Sequence, residues 1–264
     1  MKRVYDNLNK RLIYFGESPT PNFWDSLWSM EKKEKKIVYG NDQIRIAKIF
    51  AQYKGKKAKV LEAGCGNASY LMAFRNFGLN VVGVDFAKKT VSFLQNNYPE
   101  LDVRLGDVRS LEFEDQSFDC YYSGGLIEHF WGGYNEILSE SFRVLRPGGI
   151  AIFSFPAMSK LRKAKALINR YDSFDVQLDF EPENFYQFAL CPKQVEESFK
   201  QIGYLPVTSI WRAGAKGLSD EILIVNKILK KYPSLLAKII GKIGTLGSFF
   251  WGHSIVVVLL KPDV

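Results

Sequence analysis

The chain has 264 residues, 47% of them hydrophobic, enough to bury the core of one large α/β domain. Its three cysteines, Cys65, Cys120 and Cys191, stand apart without CxxC spacing, which argues against a disulfide framework and against a zinc centre. Thirty-six Lys and Arg against 28 Asp and Glu leave a net charge of +8, a balance that ordinary solvated faces produce but that also suits an anionic partner such as a lipid, a nucleic acid or an acidic substrate.

In chain order, Met1-Lys2-Arg3-Val4-Tyr5-Asp6 carries no apolar run behind its basic residues, so it does not read as a secretory signal and a cytoplasmic protein is expected. Residues 1–40 are aromatic and basic, with Phe23, Trp24 and Trp28 ahead of a charge run, and are expected to form a helical lid. A helix over about 42–53 shows an apolar face of Ile46, Ile49, Phe50 and Tyr53. Strands near 58–63, 80–85, 101–105, 118–123 and 150–155 then alternate with helices near 67–77, 87–97 and 134–145. That alternation requires right-handed parallel crossovers and a sheet covered on both faces, a doubly wound α/β fold within a single domain spanning 1–264. The regularity breaks at 157–190 and again at 219–250, which read as inserted caps, the second with lysines opposite an apolar stripe. A helix over 192–202 and strands near 205–212 and 254–260 complete the pattern. The uncharged stretch from 243 to 260 approaches bilayer-spanning length, but its glycines favour a loop followed by a buried strand.

Two runs carry the chemistry. Val60-Leu61-Glu62-Ala63-Gly64-Cys65-Gly66 ends a strand in a carboxylate and a glycine turn, and Val81-Val82-Gly83-Val84-Asp85 ends the next strand in a second carboxylate. Glycines admit a ligand close to the backbone, and acids at neighbouring strand ends converge on the crevice of an open sheet. Gly106-Asp107-Val108 follows the third strand and Ser123-Gly124-Gly125-Leu126-Ile127-Glu128-His129-Phe130 the fourth. A nicotinamide dehydrogenase also ends its second strand in an acid, but it wants G-x-G-x-x-G, and Glu62 would repel a pyrophosphate.

With these motifs in order, the sequence resembles the class I S-adenosylmethionine-dependent methyltransferases, in particular the small-molecule branch with Glu-His-Phe after strand four. The resemblance implies a Rossmann-like, seven-stranded, mainly parallel sheet of order 3-2-1-4-5-7-6, with the last strand antiparallel and helical caps inserted. It implies S-adenosyl-L-methionine as cofactor and S-adenosyl-L-homocysteine as product, with no metal. Glu62, Gly64 and Gly66 would hold the methionine part, Asp85 the ribose hydroxyls, Phe86 and Val108 the adenine ring, Asp107 its amine, and Ser123 would lie near the methionine. One position departs: Ala68 replaces the third glycine of the turn, and alanine is small enough for cofactor binding to survive.

On the acceptor side, His129 and Glu128 are the candidate acid–base residues, and Trp24, Trp28 and His253 the candidate substrate contacts. An Asn-Pro-Pro-Tyr motif and the glutamate pair of arginine methyltransferases are both missing, which points away from nucleic acid and toward a small-molecule or lipid-like acceptor. The basic amphipathic caps add an expectation of peripheral contact with the inner membrane surface. A cofactor-binding subunit without catalysis is the alternative role.

Overall fold

A computed structural model describes residues 2–28, 36–174, 182–222, 225–227 and 247–263. The chain opens with an antiparallel hairpin, β1 (Lys2–Asp6) and β2 (Arg11–Phe15). Asp6 nucleates its loop: the carboxylate accepts from the Asn9 amide (2.9 Å), the Asn9 side chain (2.8 Å) and Arg11 Nε (2.9 Å), an Asp-centred turn of the kind that competes with helix. This corrects the expectation of an all-helical lid over 1–40, because only α1 (Pro21–Trp28) is helical before residue 29. Leu12, Ile13 and Tyr14 are buried together because β2 is an inner strand. Such a strand loses the alternation that would betray it.

Beyond α2 (Asn41–Lys54) the βα alternation follows the sequence reading: β3 (Lys59–Ala63), α3 (Ser69–Asn76), β4 (Asn80–Asp85), α4 (Lys88–Asn97), β5 (Asp102–Leu105), β6 (Phe118–Gly124), α5 (Asn135–Val144) and β7 (Leu145–Pro156). A cap of α6 (Lys160–Leu167), β8 (Asp172–Phe174) and β9 (Phe185–Ala189) follows, and after it come α7 (Pro192–Ile202), β10 (Leu205–Arg212) and β11 (Ser254–Leu260). The seven-stranded sheet runs β5-β4-β3-β6-β7-β11-β10, which is the expected order. β11 pairs antiparallel with both neighbours and the remaining contacts among β3 to β7 are parallel.

Period-two alternation assigns the two faces. Val60, Cys120, Ile152, Val256 and Val258 point to the face covered by Ile46 and Phe50 of α2 and Phe74 of α3. Leu61, Tyr121, Phe153, Ile255 and Val257 point to the other, covered by Ile137 and Leu138 of α5 and Val195 and Phe199 of α7. Each fully buried large side chain here contributes about 1.5–3 kcal/mol. Doubly covered strands need apolar residues at consecutive positions, and this is why 254–260 is continuously apolar. It is an inner strand, and no helix among the described residues is long and apolar enough to cross a membrane.

The insertion at 157–190 is only partly helical. Its strands β8 and β9 flank the N-terminal hairpin in a second, four-stranded sheet of order β8-β1-β2-β9. That sheet is zipped to the main one where Leu190 N–H donates to the Pro156 carbonyl and Met158 N–H to the Leu190 carbonyl, both at 2.9 Å. Trp131 stacks on Phe188 at 5.5 Å and fixes the cap over the loop after β6. Of the second insertion, α8 (Gly214–Glu221) and a one-turn helix at Ser248–Trp251 are seen. The lysine-rich faces expected around Lys230, Lys231, Lys238 and Lys242 lie outside the described residues.

Candidate active site

The glycine turn is strapped to the strand beside it. Gly64 and Cys65 both donate their N–H to the Val84 carbonyl, at 2.8 and 3.1 Å, so the chain crosses the end of β4 before entering α3. Gly64 and Gly66 take φ of +76° and +48°. A Cβ at Gly64 would come within 2.8 Å of Leu126, and one at Gly66 within 2.8 Å of Trp28, so both positions demand glycine for space as well as for conformation. Ala68 also adopts a left-handed φ of +60° and is fully buried, held there by its N–H to the Cys65 carbonyl at 2.8 Å. A non-glycine residue in this region stores strain at a functional turn.

Two carboxylates converge behind the turn. Asp85 Oδ2 accepts from Gly66 N–H (2.8 Å) and Oδ1 from Ala87 N–H (2.9 Å), leaving each oxygen a further acceptor direction. Burial raises its pKa, against the opposing pull of those amides. Glu62, 3% exposed, is held well above the ordinary carboxylate range by burial, with the Asp85 charge acting the same way against a stabilising Leu71 amide. Its Oε2 has no partner, and neither has the buried Ser123 Oγ at the end of β6. Among the described residues no Lys, Arg or His forms an ion pair with Glu62 or Asp85. Burying an acid that the fold does not pair is costly. The arrangement suits a ligand that brings a positive charge to Glu62 and hydroxyl donors to Asp85.

Beside these groups lies a cavity of about 120 Å³, bounded by Gly64, Gly66, Asp85 and Phe86, by Gly124, Gly125, Leu126, His129 and Phe130 of the loop after β6, and by Pro19, Trp24 and Trp28; Glu128 itself is not among these residues. α1 forms the roof. Asp25 pins it down, its carboxylate accepting from Thr90 N–H (2.8 Å), Thr90 Oγ1 (2.9 Å) and Lys89 N–H (3.3 Å). These belong to the first turn of α4, which has no side-chain cap of its own. Trp24 stacks on Trp28 at 6.1 Å and meets the His129 ring edge-on at 5.0 Å.

Glu128 and His129 stand in a single 3-10 turn after β6. His129 Nδ1 lies 2.7 Å from the Tyr186 carbonyl of β9; a carbonyl only accepts, so Nδ1 carries the proton and Nε2 presents a lone pair. Burial lowers the His129 pKa to about 4, with the Tyr186 contact opposing it. Burial pushes Glu128 up to about 8, and its Oε2 is unpartnered while Oε1 lies 4.0 Å from His129 Nε2. Near neutral pH the histidine is uncharged and the glutamate holds its proton. Of the two, Glu128 titrates nearer the range where a general base works.

Three expected site residues stand elsewhere. Asp107 faces a separate hollow of about 60 Å³, with its carboxylate gripped by Arg109 Nη2 at 2.6 Å, which pulls its pKa down. Val108 is buried in the main core. His253 lies between Asp220 (2.8 Å) and Arg162 (3.0 Å), away from the cavity, because α6 and α8 close over the turn that precedes β11. Conversely, the structure brings in Asp25, Leu126 and Tyr186, which the motifs did not single out. Asp25 had a signal in retrospect, being the lone acid between Trp24 and Trp28 on a short aromatic helix.

The family profile described as "Methyltransferase domain" matches residues 61–153, from β3 to the middle of β7. A protein of Mycolicibacterium smegmatis named "Probable S-adenosylmethionine-dependent methyltransferase" is 38% identical over 97 residues, 37% of each chain. The malonyl-[acyl-carrier protein] O-methyltransferase of Yersinia pestis is 28% identical, with 69% of this chain and 64% of that protein aligned. The enzyme of that name from Hamiltonella defensa is 30% identical, covering 67% of this chain and 74% of its own length. The alignments to the first two relatives thus span 37% and 64% of their lengths. Among solved structures, the [4+2]-cyclase SpnF superposes with a TM-score of 0.58 at 15% identity, covering 96% of this chain and 99% of that one. A S-adenosylmethionine-dependent methyltransferase of Archaeoglobus fulgidus gives 0.55 at 16%, covering 89% and 99%. Both likenesses concern the fold. The profile match over the glycine turn and the 30% identity to the Hamiltonella enzyme, over 67% of this chain and 74% of that one, place this chain in the class I S-adenosylmethionine-dependent methyltransferase family.

Proposed function

We propose that the protein transfers a methyl group from S-adenosylmethionine to a small or lipid-like acceptor held beneath α1. One observation carries the reading: Glu62 and Asp85 are buried at the glycine turn with no cation paired to them among the described residues. When bound, the cofactor supplies a methyl group on a positively charged sulfur. Glu62 Oε2 and Ser123 Oγ would take up its methionine end, the spare acceptor directions of Asp85 its ribose hydroxyls, and Phe86, 38% exposed at the cavity edge, its adenine face. Asp107 would serve the adenine amine after release from Arg109.

Methyl transfer demands alignment more than covalent help. The Trp24–Trp28 stack and the neutral His129 ring provide an apolar wall that excludes water from the acceptor, and where a proton must leave the acceptor it goes to the ionised form of Glu128, whose share grows as pH rises toward 8. The relatives from Yersinia and Hamiltonella are named for a malonyl-carrier acceptor, which supports an acyl or similarly lipid-like substrate. Contact of basic faces with an anionic membrane is a separate proposal, and equal flotation with and without anionic liposomes would end it.

The first test is calorimetry with S-adenosylhomocysteine. Binding should be saturable and lost in Asp85→Asn, and no heat from the unmutated protein would reject the proposal. Because SpnF shares the fold and is named a cyclase, the second test reads transfer itself: labelled methyl from the cofactor into a lipid or metabolite extract.

A further inference from the structure

A second concave site lies at the far edge of the main sheet. Among the described residues β10 is the outermost strand there, paired only with β11, and the face that α7 covers further in is left open at this edge. The result is a groove of about 500 Å³, within the usual range for a small-ligand site. Its floor is apolar: Val207 and Trp211 from β10, Ile255 and Val257 from β11, with Phe249 at one end.

Its wall is basic. α6 and α7 both begin just beyond the bridge between Ala157 and Leu190, and they bring Lys160, Lys163 and Lys193 to the groove. The single carboxylate among the described lining residues, Glu196, is engaged by Lys200 at 2.5 Å. Lys160 lies 3.9 Å over the Phe249 ring, so one cation already stands at the boundary between the charged wall and the apolar end. The groove shares no lining residue with the cavity under α1.

We infer that this groove binds a fatty acyl anion, one alkyl chain ending in a carboxylate. An apolar floor accepts an alkyl chain, and an excess of ammonium groups along one wall selects a negative head. Concavity matters to the choice of partner. A bilayer is met by a protruding apolar face, whereas a single chain enters a trough. The groove offers few polar groups besides Thr208 and Ser209, too few to read a sugar or a nucleotide.

The test is calorimetric titration of the full chain with sodium decanoate below its micelle concentration, with decanol as the neutral control. Saturable binding of one decanoate per chain is expected, weakened roughly tenfold or more when Lys160, Lys163 and Lys193 are all replaced by Ala. Val207→Glu, at a position 55% exposed and so tolerant of change, should weaken it similarly by placing a like charge in the trough. Both variants should bind S-adenosylhomocysteine as before, which separates this site from the proposed active site and confirms that they fold. Absence of saturable binding overturns the inference. Decanoate binding unchanged in both variants puts the acid elsewhere, and equal affinity for decanol removes the lysines from recognition. Either result overturns it as well.

Discussion

Two buried glutamates in this molecule have opposite surroundings. Glu221, on α8, is met by Arg3 (2.6 Å), Arg162 (3.0 Å), Lys165 (2.7 Å) and the Tyr171 hydroxyl (2.6 Å), and these partners outweigh burial to hold its pKa below the ordinary value. Glu62, at the end of β3, has the Asp85 charge beside it, an unpartnered oxygen and a pKa driven up by burial. The first cluster joins β1, α6, α8 and, through Arg162 and the His253 carbonyl, the turn before β11. The second is met, among the described residues, by nearby backbone amides alone, Leu71 at Glu62 and Gly66 and Ala87 at Asp85. Burial alone therefore does not mark a functional acid; what distinguishes the two is whether the fold itself supplies the countercharge.

The largest effect should come from breaking the paired cluster. Glu221→Ala strands Arg162, whose side chain is fully buried, among the cations that shared the carboxylate. Loss of one partner of a buried ion pair costs about 3–5 kcal/mol. Thermal unfolding should show that loss, and a cost under about 1 kcal/mol would mean that water replaces the carboxylate. Glu62→Gln should do the reverse. Removing an uncompensated buried acid should leave the stability of the free protein unchanged or improved at neutral pH, while S-adenosylhomocysteine binding weakens about 10- to 100-fold, as for loss of a charge-assisted contact. If Glu62→Gln unfolded the chain like Glu221→Ala, the contrast between the two sites would fail.

How much of this was legible in the sequence differs between the same two regions. The site-forming carboxylates Glu62 and Asp85 sit at strand ends, and strand ends were visible because doubly covered parallel strands are short apolar runs cut by glycine. The order of the sheet followed from the family resemblance. The paired cluster was not visible, since Arg3, Arg162 and Glu221 lie far apart along the chain and carry no spacing signal. His253, which the sequence sets in a glycine-rich loop before the last strand, belongs in the fold to that cluster and not to the acceptor side. The β1–β2 hairpin was hidden for a different reason: its inner strand lacks alternation, and the turn at Asp6 depends on side-chain contacts that composition does not encode. Tyr186 acts on His129 through a backbone carbonyl, which no side-chain motif can announce.

The pH dependence of stability sharpens the comparison next. Glu128 is raised to about 8, so between the unfolded value near 4.3 and 8 the folded state holds a proton that the unfolded state has released, and stability falls as pH rises through that window. Glu221 is lowered, so its contribution is present above the unfolded value and is lost on acidification. Glu128→Gln should therefore flatten the fall in stability between about pH 4.3 and pH 8, by up to about 1.4 kcal/mol per pH unit. It should also abolish any rise of turnover with pH that centres near 8. Denaturant unfolding from pH 5 to pH 9 measures the first effect, and a wild-type curve flat across that range would contradict the assignment.

The smallest effect concerns the roof. Asp25 lies near Asp85 and adds to the repulsion that raises the Asp85 pKa, yet its own carboxylate is satisfied by the open first turn of α4. It thus acts as a cap supplied from another helix, and its removal should cost about 1 kcal/mol, the usual worth of an N-cap. Asp25→Ala leaves Trp24 and Trp28 in place but unlatches them from α4. Binding of S-adenosylhomocysteine should then be faster to form and faster to dissociate, with stopped-flow tryptophan fluorescence as the readout. Unchanged rates together with the expected stability loss would show that the cap serves α4 alone, and that the aromatic stack holds the roof without it.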